Sequence, residues 1–158
     1  YIIDKTPSSA EYCLILLSSA LEFVGNKKIT MNNLIIDAAN EKIFLMLIKD
    51  KNIYSVSHEN SKTNYEKLTI LINDFLNDYD LKISNISKLY VNRGPGSFAG
   101  IRNSIAVVKA IYVARKIDYY CFSFSDFDKL DANKYENIPN LCDKLRIKKN
   151  LIKPIYIS

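Results

Sequence analysis

From Leu34 onward the apolar residues of this chain fall in short runs cut by polar turns. Leu34-Ile-Ile36 ends at Asp37, Ile43–Ile48 follows the turn Ala38–Glu41, and Ile53–Val56 follows the charged turn Lys49–Asn52. Such runs predict strands, here three in a hairpin meander. The rhythm then changes to steps of three and four. Tyr65, Leu68, Leu71, Ile72, Phe75, Leu76 and Tyr79 predict a long helix over 64–79, with Thr63 or Asn64 as its cap. Ile86, Leu89, Tyr90 and Val91 predict a fourth strand, and Ile101, Ile105, Val108, Ala110, Ile111 and Ala114 a second long helix over 101–115. Tyr119–Phe124 alternates in bulk as a fifth strand, parallel to the fourth because a helix joins them. Beyond Asp126 the pattern thins to one weak helix over 139–148 and a terminal strand over 155–157. Ahead of it all, Thr6–Ser9 with Glu11 starts an amphipathic helix whose apolar face is Tyr12, Leu14, Ile15, Leu17, Leu21 and Val24.

Composition narrows the class. The chain has 158 residues, 48% hydrophobic and 25% charged, which suits one globular domain or one with an appendage. Its longest uncharged apolar run, Tyr12–Leu21, is too short to span a bilayer, and Tyr1 with Asp4 does not read as a signal peptide. Cys13, Cys121 and Cys142 are odd in number and far apart, the usage of reduced, packed thiols in a cytoplasmic protein. The net charge is +5, and much of the excess lies in Lys144, Arg146, Lys148, Lys149 and Lys153. That run is open to two readings, a solvated surface or an attraction for RNA.

The most specific stretch is Asn92–Asn103. Three of the four glycines, Gly94, Gly96 and Gly100, fall within seven residues between the fourth strand and the second long helix, and Pro95 stiffens the turn. Each glycine answers either to positive φ or to another group coming within backbone distance, and if Gly96 or Gly100 takes positive φ a side chain there would strain the backbone. A strand, glycine loop and helix can hold an anion at the helix N-terminus, or can simply be a tight turn.

Gly94-Pro-Gly-Ser-Phe-Ala-Gly-Ile-Arg102 resembles the signature of the TsaB (YeaZ) family. The likeness extends back to Met31–Asp37 and forward to Ser123–Phe127, with Pro154–Ile157 similar to the family's closing residues. The resemblance implies an α/β fold, one ribonuclease H-like or actin-like lobe with a mixed five-stranded sheet over 31–127. Residues 128–158 would be a remnant of a strongly truncated second lobe. Residues 1–30 have no counterpart and would be an extension, a fusion remnant or an over-long reading frame. The implied function is a non-catalytic subunit in forming N6-threonylcarbamoyladenosine in tRNA, paired with a TsaD-like transferase through the two long helices. Tyr65, Leu68, Ile72, Ile101, Ile105, Val108 and Tyr112 would supply that face, with Tyr112 outward. A TsaE-like ATPase, ATP at the level of the complex, and a homodimer without the transferase are further implications; tRNA contact would be indirect.

The alternative is a vestigial ATPase or peptidase-like hydrolase of the same fold, and the residues offer it little. No catalytic residue, metal set or bound cofactor is assigned. His58 stands alone in a Ser/Asn-rich stretch, read as a surface loop, without metal-ligand spacing. Ser97 lacks a nearby base and the flanking glycines of a nucleophile elbow. Asp37 is the candidate for a vestigial phosphate loop, but Ala38-Ala39-Asn40 stand where the family resemblance implies hydroxyls. Gly94, Pro95, Gly96, Ser97, Phe98, Gly100 and Arg102 are thus a loop that is either structural or anion-binding.

Overall fold

The computed structural model describes residues 30–128 and 134–156. The helix expected around Tyr12–Val24, Cys13 and the end of the terminal strand lie outside them. Met31–Ser158 is one compact unit.

Five strands form, β1 (Asn32–Asp37), β2 (Lys42–Lys49), β3 (Asn52–Glu59), β4 (Lys88–Asn92) and β5 (Tyr119–Phe122). They lie in the order β3-β2-β1-β4-β5. The meander β1–β2–β3 is antiparallel, while β4 runs parallel to both β1 and β5. The α/β class and the mixed five-stranded sheet expected from the sequence are therefore present.

The pleat sorts side chains onto two faces. Leu34 pairs with Leu47 and Leu89, and Ile36 with Leu45 and Val91, so these share one face and the larger core. Ile35, Tyr90 and Phe122 lie on the other, with Phe127, Ile138, Leu141 and Cys142.

The larger core is closed by helices. The predicted 64–79 helix is two helices, α1 (Lys62–Glu66) and α2 (Leu68–Asn77), with the break at Lys67. The break separates Tyr65, whose hydroxyl lies 2.9 Å from Ser97 Oγ, from the Leu68, Ile72, Phe75, Leu76 stripe buried against the sheet. Ser61, not Thr63 or Asn64, is the cap; its hydroxyl accepts from the Asn64 N–H. Helix α3 runs Phe98–Arg115, a turn earlier than predicted, because the Ser97 hydroxyl caps it by accepting from Gly100 N–H at 3.2 Å. It ends at Lys116 in the left-handed conformation.

The opposite face is covered by a short helix α4 (Ile138–Lys144) and by 3₁₀ turns at Phe124–Asp126 and Tyr135–Asn137. The helix stops four residues short of the predicted 148, its last turn giving way to Arg146 at positive φ. The terminal strand does not form over the described residues Ile155 and Tyr156; Ile155 only donates its N–H to the Arg93 carbonyl at 2.7 Å.

Candidate functional site

The glycine loop leaves β4 and folds back over the turn between β1 and β2. Asn92 begins it, its side-chain oxygen accepting from the Gly94 N–H at 2.9 Å. Gly94 has φ +108° and precedes Pro95 through a cis peptide bond. Positive φ is therefore at Gly94, not at Gly96 or Gly100. Those two are glycine for space. A Cβ on Gly96 would run into the Ala39 carbonyl, and one on Gly100 into the Ala38 carbonyl. Ser97 completes the seam by donating its N–H to the Ala39 oxygen at 2.8 Å. The amides of Gly94, Ser97 and Gly100 are thus each engaged by acceptors of the chain itself.

Asp37, at the end of β1, is fully buried. Its Oδ1 accepts from the Ala39 N–H at 3.0 Å, and its Oδ2 from Asn40 Nδ2 at 3.1 Å and from the Tyr135 hydroxyl at 2.7 Å. The Tyr135 ring lies 4.3 Å from that of Phe44 and packs edge-on to Phe124. Burial, then the Asp37 charge and their hydrogen bond, raise the Tyr135 hydroxyl pKa well above the usual phenol range, so it stays a donor. Asp37 is held by three donors from the chain. Beside it opens a cleft of about 910 Å³ lined by Asn40, Lys42, Phe44, Ser57, Gly96 and Tyr135. Sequence reasoning missed Tyr135, which lies far along the chain in a weakly patterned stretch.

The helix residues expected to meet a partner divide sharply. Leu68, Ile72, Ile101, Ile105 and Val108 are buried in the chain's own core, so they are corrected from interface to core. Tyr65 is half-buried against Ser97. Tyr112 is half-buried too, its ring edge-on to Tyr119 at 5.9 Å with Lys116 Nζ over it, so it faces the chain and not outward. The exposed positions of α3 include Ala106, Ala110, Val113 and Ala114, while Val107 and Ile111 are half-buried against the core. Together with Tyr65 and Glu66 of α1, Thr69 of α2 and Ile83, the α3 residues Ala106, Val107, Ala110, Ile111 and Ala114 line a groove of about 480 Å³, so Tyr65, expected at the partner face, does border it. Apart from Tyr65, the apolar side chains that line this groove are not the ones predicted for a partner face.

The remaining candidates fall elsewhere. Arg102 is exposed on α3 and Phe98 at its start. His58 lies in β3, half-buried, rather than in a loop. Cys121 and Cys142 are buried free thiols, their pKa pushed up to about 11 and about 12 by that burial. No described helix is long and apolar enough to cross a membrane.

Comparison with known proteins follows this geometry. A family profile described as "TsaD: tRNA N6-adenosine threonylcarbamoyltransferase" matches residues 55–123. The tRNA threonylcarbamoyladenosine biosynthesis protein TsaB of Bacillus subtilis (strain 168) is 27% identical over 104 residues, 65% of this chain and 44% of that protein. The TsaB of Buchnera aphidicola subsp. Schizaphis graminum is 28% identical over 90 residues, 57% of this chain and 43% of its own. In fold, YeaZ from Pseudomonas aeruginosa superposes with a TM-score of 0.55 at 22% identity, over 59% of this chain and 44% of that one. The chain thus spans less than half the length of the relatives it matches, and the resemblance to TsaB and YeaZ read from the loop is found again in both sequence and fold.

Proposed function

We propose that this chain takes part in forming N6-threonylcarbamoyladenosine in tRNA, as a subunit that performs no covalent step and pairs with a TsaD-like transferase. One observation carries the reading: strand β4, the glycine loop and α3 form the segment where the loop sequence, the matched profile and the TsaB relatives coincide. In those relatives the printed role is biosynthesis of this modification. A non-catalytic part agrees with an Asp37 already satisfied by Tyr135, Asn40 and Ala39, and with loop amides spent on the chain's own oxygens.

The pairing surface is the α2–α3 groove. Its floor of Val107, Ala110, Ile111 and Ala114 has small residues where a helix of the transferase could approach closely. Burying two of its larger side chains contributes about 1.5–3 kcal/mol each, enough together for roughly a thousandfold in affinity. Without the transferase the same groove would accept a second copy of this chain. A TsaE-like ATPase would join the pair and bring ATP to the assembly.

Co-purification of the full chain with the transferase tests the proposal. A stable complex that Ala110→Glu abolishes is the expected result, and a chain with no affinity for the transferase overturns it.

A further inference from the structure

We infer that the surface running from Lys144 to Tyr156 and on to Phe98 is a docking site for single-stranded RNA. The inference rests on the tRNA reading above only for which RNA is bound; the surface itself is argued from charge and exposed rings.

Between Cys142 and Lys153 the chain carries Lys144, Arg146, Lys148, Lys149 and Lys153 against one acid, Asp143. All five cations are exposed. Among the described residues only Lys149 is paired, with Asp118 at 3.2 Å. Lys148 and Lys153 stand with Arg93 around a recess of about 320 Å³, whose wall includes Leu145 and Leu151. Arg93 is held in place by Asp126 at 2.6 Å and donates to the Lys153 carbonyl at 3.2 Å. The strip is therefore anchored to the end of β4, and a string of like charges is kept together on a fixed backbone.

The strip ends on two aromatic rings. Phe98 and Tyr156 are 55% and 42% exposed, and their centroids lie 4.7 Å apart. They are neighbours because the Ile155 N–H binds the Arg93 carbonyl, bringing Tyr156 against the first residue of α3. Two large aromatic faces left in water, one of them three residues along the chain from Lys153 and its neighbouring cations, match a polynucleotide, which presents phosphates and unstacked bases at a regular spacing. A duplex hides its base faces, so the occupant is single-stranded. A bilayer is the poorer match, since Leu145 and Leu151 wall the recess beside Lys148 rather than form a protruding apolar crown.

The test uses the full chain and three probes: a labelled, unmodified anticodon stem-loop RNA, heparin, and vesicles of anionic phospholipid. The RNA should bind, with affinity falling steeply as salt rises. Replacing Lys144, Lys148 and Lys153 together by Gln should weaken RNA binding at least about tenfold and flatten the salt slope, as expected when roughly three phosphate contacts are lost. Tyr156→Ala should weaken RNA binding by roughly 5- to 100-fold, the worth of one stacked base, while heparin binding stays unchanged. All these side chains are exposed, and circular dichroism on each variant confirms the fold. RNA binding indifferent to the lysine replacements overturns the inference. So does a Tyr156→Ala variant that loses nothing on RNA, which leaves only a generic polyanion surface, or binding to vesicles and not to RNA. RNA binding lost in the lysine variant while it still co-purifies with the transferase separates this surface from the pairing groove. Failure of RNA binding in a chain that pairs normally sinks this inference alone.

Discussion

The two faces of the sheet are closed in opposite ways. On one, α1, α2 and α3 bury Leu68, Ile72, Ile101, Ile105 and Val108 against β1, β2 and β4, and still leave an apolar groove on the outside. On the other, α4 and its flanking turns cover Ile35, Tyr90 and Phe122, and Tyr135 is spent on a buried carboxylate. The helical face has more apolar surface than its own core needs. The other face has a polar group that the chain must satisfy itself, because a buried carboxylate without donors is costly. On the reading proposed above, association belongs to the first face and closure to the second.

The contrast can be broken most severely at the seam joining the loop to the β1–β2 turn. Gly100→Val should destabilise by about 3 kcal/mol or more, since its Cβ meets the Ala38 backbone carbonyl, which cannot swing aside like a side chain. Gly96→Val should behave similarly against Ala39. Urea unfolding measures both, and wild-type midpoints would remove the spatial role given to these glycines.

Tyr135→Phe comes next. It keeps the ring on Phe44 but removes a donor from a charged, buried acceptor, a loss of about 1.5–3 kcal/mol. If the hydrogen bond is the cause, the Asp37→Asn background should shrink the effect, so a double-mutant cycle reads the coupling directly. Additive losses would show that the Tyr135 hydroxyl contributes independently of Asp37.

Alkaline pH probes the same closure. Tyr135 and Tyr90 have raised hydroxyl pKa values, Tyr90 through burial first and then nearby acidic groups. In both the neutral form is favoured by folding, so their contribution is complete below the ordinary phenol pKa of about 10 and declines as pH rises beyond it. Stability should therefore fall above about pH 10, and less steeply in Tyr135→Phe. Identical pH slopes in the two proteins would contradict the assignment.

The smallest effect on stability belongs to the groove. Ala110→Glu should change folding by no more than about 0.5 kcal/mol while abolishing transferase binding, because Ala110 is exposed. Tyr112→Glu should do the reverse of a pure interface change and destabilise the fold, because its ring packs on Tyr119. A stable Tyr112→Glu chain that no longer binds would return that residue to the outward set.

Much of this architecture was legible in the order of residues, and the failures have physical reasons. The strands announced themselves because buried runs such as Leu34–Ile36 and Leu89–Val91 have no polar interruption. The glycine loop was legible because three glycines at that spacing have few uses. Which glycine needed positive φ was not, since close approach and left-handed backbone select the same residue, and only the position of Ala38 and Ala39 tells them apart. The outward face of α3 was misread, because Ile105 and Ile111 are equally apolar and only the sheet decides which is covered. Tyr135 on Asp37 was invisible, as a single hydroxyl contact between the first strand and the C-terminal segment leaves no periodic trace.

The strand order also sets a timetable. β1, β2 and β3 are consecutive hairpins whose contacts are nearby in sequence, so they can assemble on the microsecond scale. The middle of the sheet cannot. Ile35 must find Tyr90 across the whole of β2, β3, α1 and α2, and the loop-closing entropy is spent before any contact rewards it. Until that pairing occurs, β1 is a bare edge with its backbone donors unfilled, and the Ser97–Ala39 bond has nothing to join. Closing the glycine loop over Ala38 and Ala39 therefore waits on this long-range pairing, and until it forms the edge of β1 is open to pairing with another chain.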